Sequence, residues 1–151
     1  MVTGLKDSWK GNNIKSKYIM KAPKHLGHKP LVSVDDYEPM DGQYANHTDA
    51  KALSIGHAQY DYDEISLKVW RRPKKRWSPQ SEELPMHRNL DLTILLLNVL
   101  LGDETNSAAP GWKVSGEEWE KEKIRKYYRE HVDILEPRLK EIKELLNKME
   151  L

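Results

Sequence analysis

Cysteine and phenylalanine are both missing from this chain of 151 residues. Without thiols the protein forms neither a disulfide nor a thiolate metal site, and a reducing cytosol is a compatible setting. Five Trp and seven Tyr must then supply the aromatic bulk of the interior, together with aliphatic residues. We expect a small core that is rich in Trp and Tyr.

Long hydrophobic runs and cofactor motifs are also missing. The N-terminus lacks the apolar stretch of a signal peptide, and the most hydrophobic segment, residues 94–97, is far shorter than the roughly 20 residues of a membrane span. No phosphate-binding glycine loop, metal quartet or nucleophile elbow is present in the sequence. We expect a cytoplasmic protein that needs no membrane and no cofactor, and no motif identifies an activity.

Charge is abundant, at 32% of residues, but its sign changes along the chain. Residues 1–34 sum to +6, residues 35–64 to −7, and residues 65–88 to +5. Successive blocks of opposite sign attract one another in a compact fold. The alternative is that one basic block stays exposed and meets an anionic partner.

The length suits one domain. Residues 1–24 are Lys-rich with little periodicity and are predicted to form a mobile arm, and residues 25–151 a single α+β domain. A short strand is predicted at about 30–34. Period-two alternation then predicts a hairpin at about 52–71, with its turn at residues 61–64.

The second half of the chain is predicted to be helical. The first helix runs from Pro85 to Gly102, and apolar residues wrap most of its circumference, which predicts a central, buried helix. Ser115 and Glu118 match a capping box that starts a second helix, which Pro137 ends or kinks. The last helix carries apolar residues at heptad spacing, namely Leu135, Leu139, Ile142, Leu146 and Met149. This face either docks on the chain's own core or forms a homodimer seam. The fold class is therefore α+β, a small antiparallel sheet packed against helices.

A cationic loop lies between two tryptophans. Cations neutralise phosphates while indoles stack on bases, the combination that single-strand binders use. The alternative is a solvated hairpin end whose tryptophans point into the core. The residues concerned are Arg71, Arg72, Lys74, Lys75 and Arg76, flanked by Trp70 and Trp77.

Glu83, His87 and Asp91 are spaced by four residues at the start of the first helix. An imidazole and carboxylates at this spacing can share a divalent metal, or a carboxylate can orient His87 for general base catalysis. The alternative is structural, because acids near a helix start complement the helix dipole. Gln80, Ser81, Glu82, Glu83 and Arg88 then form a polar network that closes the helix onto the sheet.

Two further groups are polar. Tyr44, Asn46, His47, Thr48, Asp49 and Lys51 form a pocket wall if their loop folds back over the hairpin, although turn chemistry also explains several of them. Two acidic sets invite a calcium site but lack the twelve-residue loop pattern. These sets are Asp35, Asp36, Glu38 and Asp41, and Asp61, Asp63 and Glu64. His25 and His28 need no ligand role.

Three strings taken in order, GQYANHTDAKALSIGHAQYD, ISLKVWRR and WSPQSEELPMHRNLDL, resemble a family of small bacterial proteins of unknown function. The resemblance covers roughly residues 25–100. It implies a bacterial, cytoplasmic setting and one compact domain, and it implies no activity.

Two functions remain open. The favoured one is a binding or regulatory module that presents a polar or cationic surface to an anionic ligand or a nucleic acid. The alternative is a small enzyme with a pocket at the junction of hairpin and helix, where His87 acts as general base. That pocket gathers Asp49, Lys51, Gln59, Arg71, Glu83, His87 and Arg88.

Overall fold

The computed structural model describes residues 19–102 and 114–151. The chain divides into two compact units, Met1–Pro85 and Met86–Leu151. Most of the arm predicted for residues 1–24 lies outside the described residues. Among the described helices, none has both the length and the apolar character needed to cross a membrane.

The first unit is built on a four-stranded sheet with strand order β1-β2-β3-β4. The strands are β1 Lys29–Val34, β2 Ala50–His57, β3 Ile65–Arg71 and β4 Glu83–Pro85. All three pairings are antiparallel. The hairpin of β2 and β3 and the short strand β1 confirm the sequence prediction, whereas β4 falls where the sequence predicts only the approach to a helix.

One face of this sheet is buried and is made of unusually small or polar side chains. Alternate residues of β2 and β3 are buried, as period-two patterning requires. Trp70 is 2% exposed and forms the core with Ala22 and Ala52, and Leu26 and Trp77 pack against it. The expectation of a small, Trp-rich core is confirmed, but no Tyr is buried among the residues that the structure describes.

Gly56 lets β1 approach β2 closely. A Cβ atom built at this position would collide with the main-chain carbonyl of Lys29 and with Pro30. The obstacle is backbone, which cannot swing away as a flexible side chain can. A glycine is therefore required here for packing.

In residues 86–102 and 114–151, the described part of the second unit, the chain forms three helices, α1 Met86–Leu101, α2 Glu118–Glu130 and α3 Val132–Lys148. Gly102 has φ +79 and ends α1, as predicted. Pro85 belongs to β4 rather than to the helix. The capping box is present but two residues later than predicted, between Glu117 and Glu120.

Pro137 does not mark the end of a helix. It lies inside α3, and the break between α2 and α3 falls at His131. The α+β class, a four-stranded antiparallel sheet with three helices, is nevertheless confirmed.

Helix α1 does not show the burial that its composition predicts. Val99 is the one buried residue in its described length, and Leu101 is 77% exposed. Within the unit, the Arg125 Nε donates to the main-chain oxygen of Val99 at 2.9 Å and links α2 to α1. The apolar face of α3 is also partly exposed at Ile142, Leu146 and Met149. A homodimer seam on that face stays a prediction.

Candidate functional site

The loop between β1 and β2 folds back beside the hairpin. Two 3₁₀ turns, Glu38–Met40 and Gly42–Tyr44, compact its first half. Asn46 then adopts φ +66, a left-handed conformation that Asn tolerates better than most residues. The hydroxyl of Thr48 accepts a hydrogen bond from the Ala50 N–H at 3.1 Å. This geometry presents His47, Thr48 and Asp49 as a three-residue ridge at the entrance to β2.

A cleft of about 630 Å³ opens on one side of this ridge. Its walls come from the β1–β2 loop, the start of β2 and the cationic loop that follows β3, together with Met20 from the segment before β1. The lining residues are Met20, Glu38, His47, Thr48, Asp49, Lys51, Arg72, Pro73, Lys74 and Lys75. We call it the cationic cleft. The sequence prediction that residues 44–51 form a pocket wall names four of these residues.

Two cations beside the ridge are neutralised by carboxylates. The Lys51 Nζ lies 2.7 Å from Glu38 Oε2 and also donates to the Thr48 main-chain oxygen. The Arg71 Nε lies 2.8 Å from Asp49 Oδ1, and its NH1 lies 3.2 Å from Glu82 Oε1. These contacts raise the pKa of Arg71, chiefly through the hydrogen bond that Arg71 donates to Asp49. Lys51 and Asp49 therefore position the loop rather than offering free charge.

Arg72 is held in place by its neighbours. Its NH2 donates to the Lys75 main-chain oxygen at 2.8 Å, and its NH1 lies 3.5 Å from the Met20 sulfur. Its guanidinium also lies over the Trp77 ring, 5.6 Å from the centroid. No carboxylate of the described chain forms an ion pair with it. A fixed guanidinium of this kind is suited to carboxylate or phosphate recognition.

Lys74 and Lys75 complete the cationic side of the cleft. Both are exposed, and neither forms an ion pair with a residue in the ranges 19–102 and 114–151. Arg76 is exposed on the same loop but lines neither of the clefts described in this unit. The cationic loop is thus solvent-accessible, and three of its cations face one cleft.

A second cleft, of about 510 Å³, opens on the other side of the ridge. His47, Thr48 and Asp49 line it as well, so the two clefts share a wall. The remaining lining residues are Tyr37, Asp41, Tyr44, Ala50, Leu53, Val69, Arg71 and Glu82. We call it the tyrosine cleft. Its three carboxylates face one guanidinium, that of Arg71.

The two tryptophans that bound the cationic loop belong to the core. Trp70 is buried, and Trp77 is half-buried and packs edge-on against it with ring centroids 5.7 Å apart. The Trp70 indole N–H donates to the Ser54 hydroxyl at 2.8 Å. Because Trp70 is buried, nucleic-acid bases cannot stack on it. This agrees with the alternative interpretation of the loop, a solvated hairpin end whose tryptophans point into the core. Trp77 instead supports Arg72.

Glu83 belongs to a polar cluster on the buried face of the sheet. Its Oε1 accepts from the Ser66 hydroxyl at 2.7 Å and from the Gln59 main-chain N–H at 3.0 Å, and it lies 3.0 Å from His28 Nδ1. His28 Nε2 lies 2.9 Å from the Ser54 hydroxyl. Gln59 thus takes part through its backbone rather than as a ligand-binding side chain.

Protonation states follow from this arrangement. Burial lowers the pKa of His28 below its ordinary 6.5 and outweighs the hydrogen bond and charge of Glu83, which raise it. Burial alone would raise the pKa of Glu83, but hydrogen bonds from Gln59, Ser66 and His28 keep it below its ordinary value. If His28 is neutral, it donates from Nδ1 to Glu83 and accepts at Nε2 from the Ser54 hydroxyl. Each hydrogen-bond donor of His28, Ser54, Ser66 and the Gln59 main chain in this cluster then has an acceptor. The hydroxyl of Ser54 can then accept from Trp70.

Lys68 lies on the same face and is 5% exposed. It stands opposite Glu83 in the sheet register, and its Nζ lies 4.9 Å from the Trp70 ring centroid. Burial lowers the pKa of Lys68, while the charges of Glu83 and Glu82 act in the opposite direction. The Trp70 face and the charge of Glu83 offset part of this cost of burying the ammonium.

His87, Arg88 and Asp91 lie in the first turns of α1, and all three are exposed. Glu83, one of the two carboxylates that could orient His87, bonds instead to His28, Ser66 and Gln59. Within residues 19–102 and 114–151, no three His, Asp or Glu side chains are grouped so as to hold a metal ion. The metal hypothesis for Glu83, His87 and Asp91 and the calcium hypotheses gain no support.

His28 is the residue that sequence reasoning missed. The sequence indicates no role for His28, because this residue lies in a Lys-rich, aperiodic segment. Its partners Ser66 and Glu83 are 38 and 55 residues away. The sequence does contain one indication of such a residue. Ser54, Ser66 and Lys68 occupy the inward positions of the hairpin, and buried polar groups require polar partners elsewhere in the chain.

Neither a curated protein nor a solved structure matches the chain. A family model described as "Family of unknown function (DUF6530)" matches residues 20–106, which include both clefts and the His28 cluster. The chain therefore belongs to this family of unknown function.

Proposed function

We propose that this protein is a binding module and that its cationic cleft holds a small anionic ligand, such as a phosphate or carboxylate compound. The observation that carries the proposal is the set of three cations that face one cleft without an ion pair to any described residue. These are Arg72, Lys74 and Lys75. A bacterial, cytoplasmic setting, which the family resemblance implies, is part of the same proposal.

The size and chemistry of the cleft support a small ligand. Its volume of about 630 Å³ lies in the range of small-molecule sites. Arg72 offers a planar donor that its contacts with Lys75 and Trp77 hold still. Lys74 and Lys75 offer mobile point charges, which adapt to the ligand. The carboxylates of Glu38 and Asp49 leave the cleft net positive, because four cations line it against these two acids.

Inorganic diphosphate is a suitable probe of this site, because it is compact and carries several negative charges. We expect millimolar diphosphate to raise the Tm of the wild-type protein. The double variant Lys74→Glu, Lys75→Glu should lose this rise, since it reverses two of the three cations. Arg76→Glu is the matched control, because Arg76 is exposed on the same loop but lines neither cleft. An equal rise in all three proteins would overturn the proposal.

Single-stranded nucleic acid is the other outcome of this test. The structure disfavours it, because Trp70 is buried and Trp77 packs against the core and under Arg72. An oligonucleotide that binds while diphosphate does not compete would replace the small-ligand proposal. The enzyme alternative, with His87 as general base, has no observation in the described residues that favours it.

A further inference from the structure

We propose that the ligand is a zwitterion, with its anionic group in the cationic cleft and an amine or guanidinium in the tyrosine cleft. This inference rests on the proposed function and adds the chemical class of the ligand. Its basis is the ridge of His47, Thr48 and Asp49, which is a wall of both clefts. A ligand bound on one side of the ridge therefore lies next to the other cleft.

The two sides of the ridge have opposite charge. The cationic cleft has three cations without a carboxylate partner in the described chain. The tyrosine cleft has three carboxylates, those of Asp41, Asp49 and Glu82, against the single guanidinium of Arg71. Arg71 bonds to both Asp49 and Glu82 and so compensates only part of their charge.

Asp41 is the carboxylate best placed to meet a ligand. Its main chain is held by the 3₁₀ turns, since its N–H donates to the Glu38 oxygen and its carbonyl accepts from the Tyr44 N–H. Its side chain forms no ion pair or hydrogen bond with a residue that the structure describes. The half-buried carboxylate is thus positioned by backbone contacts and keeps its acceptor capacity for a ligand.

Aromatic groups add a second reason for an organic cation. Tyr37 and Tyr44 line the same cleft as Asp41, and Tyr44 is well exposed. An ammonium or guanidinium near an aromatic face gains from the ring's negative potential, and a carboxylate beside it supplies the charge-assisted hydrogen bond. A bare metal ion would gain little from these rings. The combination favours an amine over an inorganic cation.

Matched phosphonates test this inference. Calorimetric titration would compare alkyl phosphonates with ω-aminoalkyl phosphonates whose linkers have two, four and six carbons. We expect the amine to tighten binding about tenfold at the linker length that reaches across the ridge, the effect of one charge-assisted hydrogen bond. Asp41→Asn should remove this gain and leave the alkyl phosphonates unchanged. Glu64→Gln is the matched control, because this exposed acid lines neither cleft.

The outcomes separate the two proposals. If no phosphonate binds, the proposed function fails and this inference fails with it. If the alkyl and aminoalkyl compounds bind equally, the anion site stands and the zwitterion is overturned. An amine gain that survives Asp41→Asn would also overturn it, because the amine would then lie outside the tyrosine cleft.

Discussion

The imidazole Nδ1 of His28 lies 3.0 Å from the Glu83 carboxylate, although 55 residues separate the two in sequence. This contact joins the segment before β1 to the last strand of the sheet. It also favours one tautomer of a neutral His28, because the Glu83 carboxylate accepts a hydrogen bond from the Nδ1–H. The cluster therefore stabilises the sheet unit on which both clefts are built.

Removal of the His28 side chain should destabilise the protein strongly. His28 is fully buried, and His28→Ala leaves Glu83 and the Ser54 hydroxyl without one partner each and opens a cavity. We expect a loss of about 3 kcal/mol in the free energy of unfolding, measured by urea denaturation. His25→Ala is the matched control, because His25 is exposed. Equal stability of the two variants would contradict the account.

Stability should fall as the pH is lowered from 8 toward 5. The pKa of His28 is lower in the folded state than its ordinary 6.5, so the unfolded chain binds the proton first. The contribution of His28 is therefore complete above about pH 6.5 and is lost as the pH falls toward the folded pKa. The pKa of Glu83 is also lowered in the folded state, so protonation of Glu83 removes further stability as the pH falls below its ordinary value of 4.5.

The pH effect can be assigned with a variant. Protonated His28 would donate from Nε2 toward the Ser54 hydroxyl, which already accepts from the Trp70 indole. His28→Gln cannot titrate, so its unfolding free energy should change less between pH 8 and pH 5. Chemical denaturation at several pH values gives both slopes. Parallel slopes for the wild type and the variant would show that His28 is not the group concerned.

Gly56→Ala should be among the most damaging small substitutions in the sheet. The added methyl would meet the Lys29 carbonyl and the Pro30 backbone. We expect a loss of about 2 kcal/mol or more, because strand β1 must shift to make room. Gly27→Ala offers the comparison, since its nearest obstacle is the flexible Gln59 side chain. Thermal unfolding that ranks the two variants in the reverse order would contradict this packing.

The sequence predicts the elements that local patterning determines. The period-two alternation of residues 53–60 and 65–70 predicts the hairpin, and Gly102 predicts the end of α1. Strand β4 was missed because three residues are too few to show a period. The prediction that α1 is buried was also wrong. Apolar residues around a helix show that its surface needs a packing partner, but they do not show which part of the protein supplies that partner.

The candidate site divides in the same way. From the sequence, the pocket wall at residues 44–51 stands beside a simple turn as an interpretation, and the exposure of the cationic loop stays open. Whether Arg72, Lys74 and Lys75 meet that wall depends on contacts between segments far apart in sequence. The pairing of Lys51 with Glu38 and of Asp49 with Arg71 is of this kind, since the sequence names these four residues without showing which of them meet.

The most direct test of the central claim is a calorimetric titration with inorganic diphosphate. The protein should bind one diphosphate per chain, and Lys74→Glu, Lys75→Glu should weaken binding at least tenfold while Arg76→Glu retains it. No heat of binding in the wild type, or an equal Kd for the wild type and the double variant, would contradict the assignment of the cationic cleft as the ligand site.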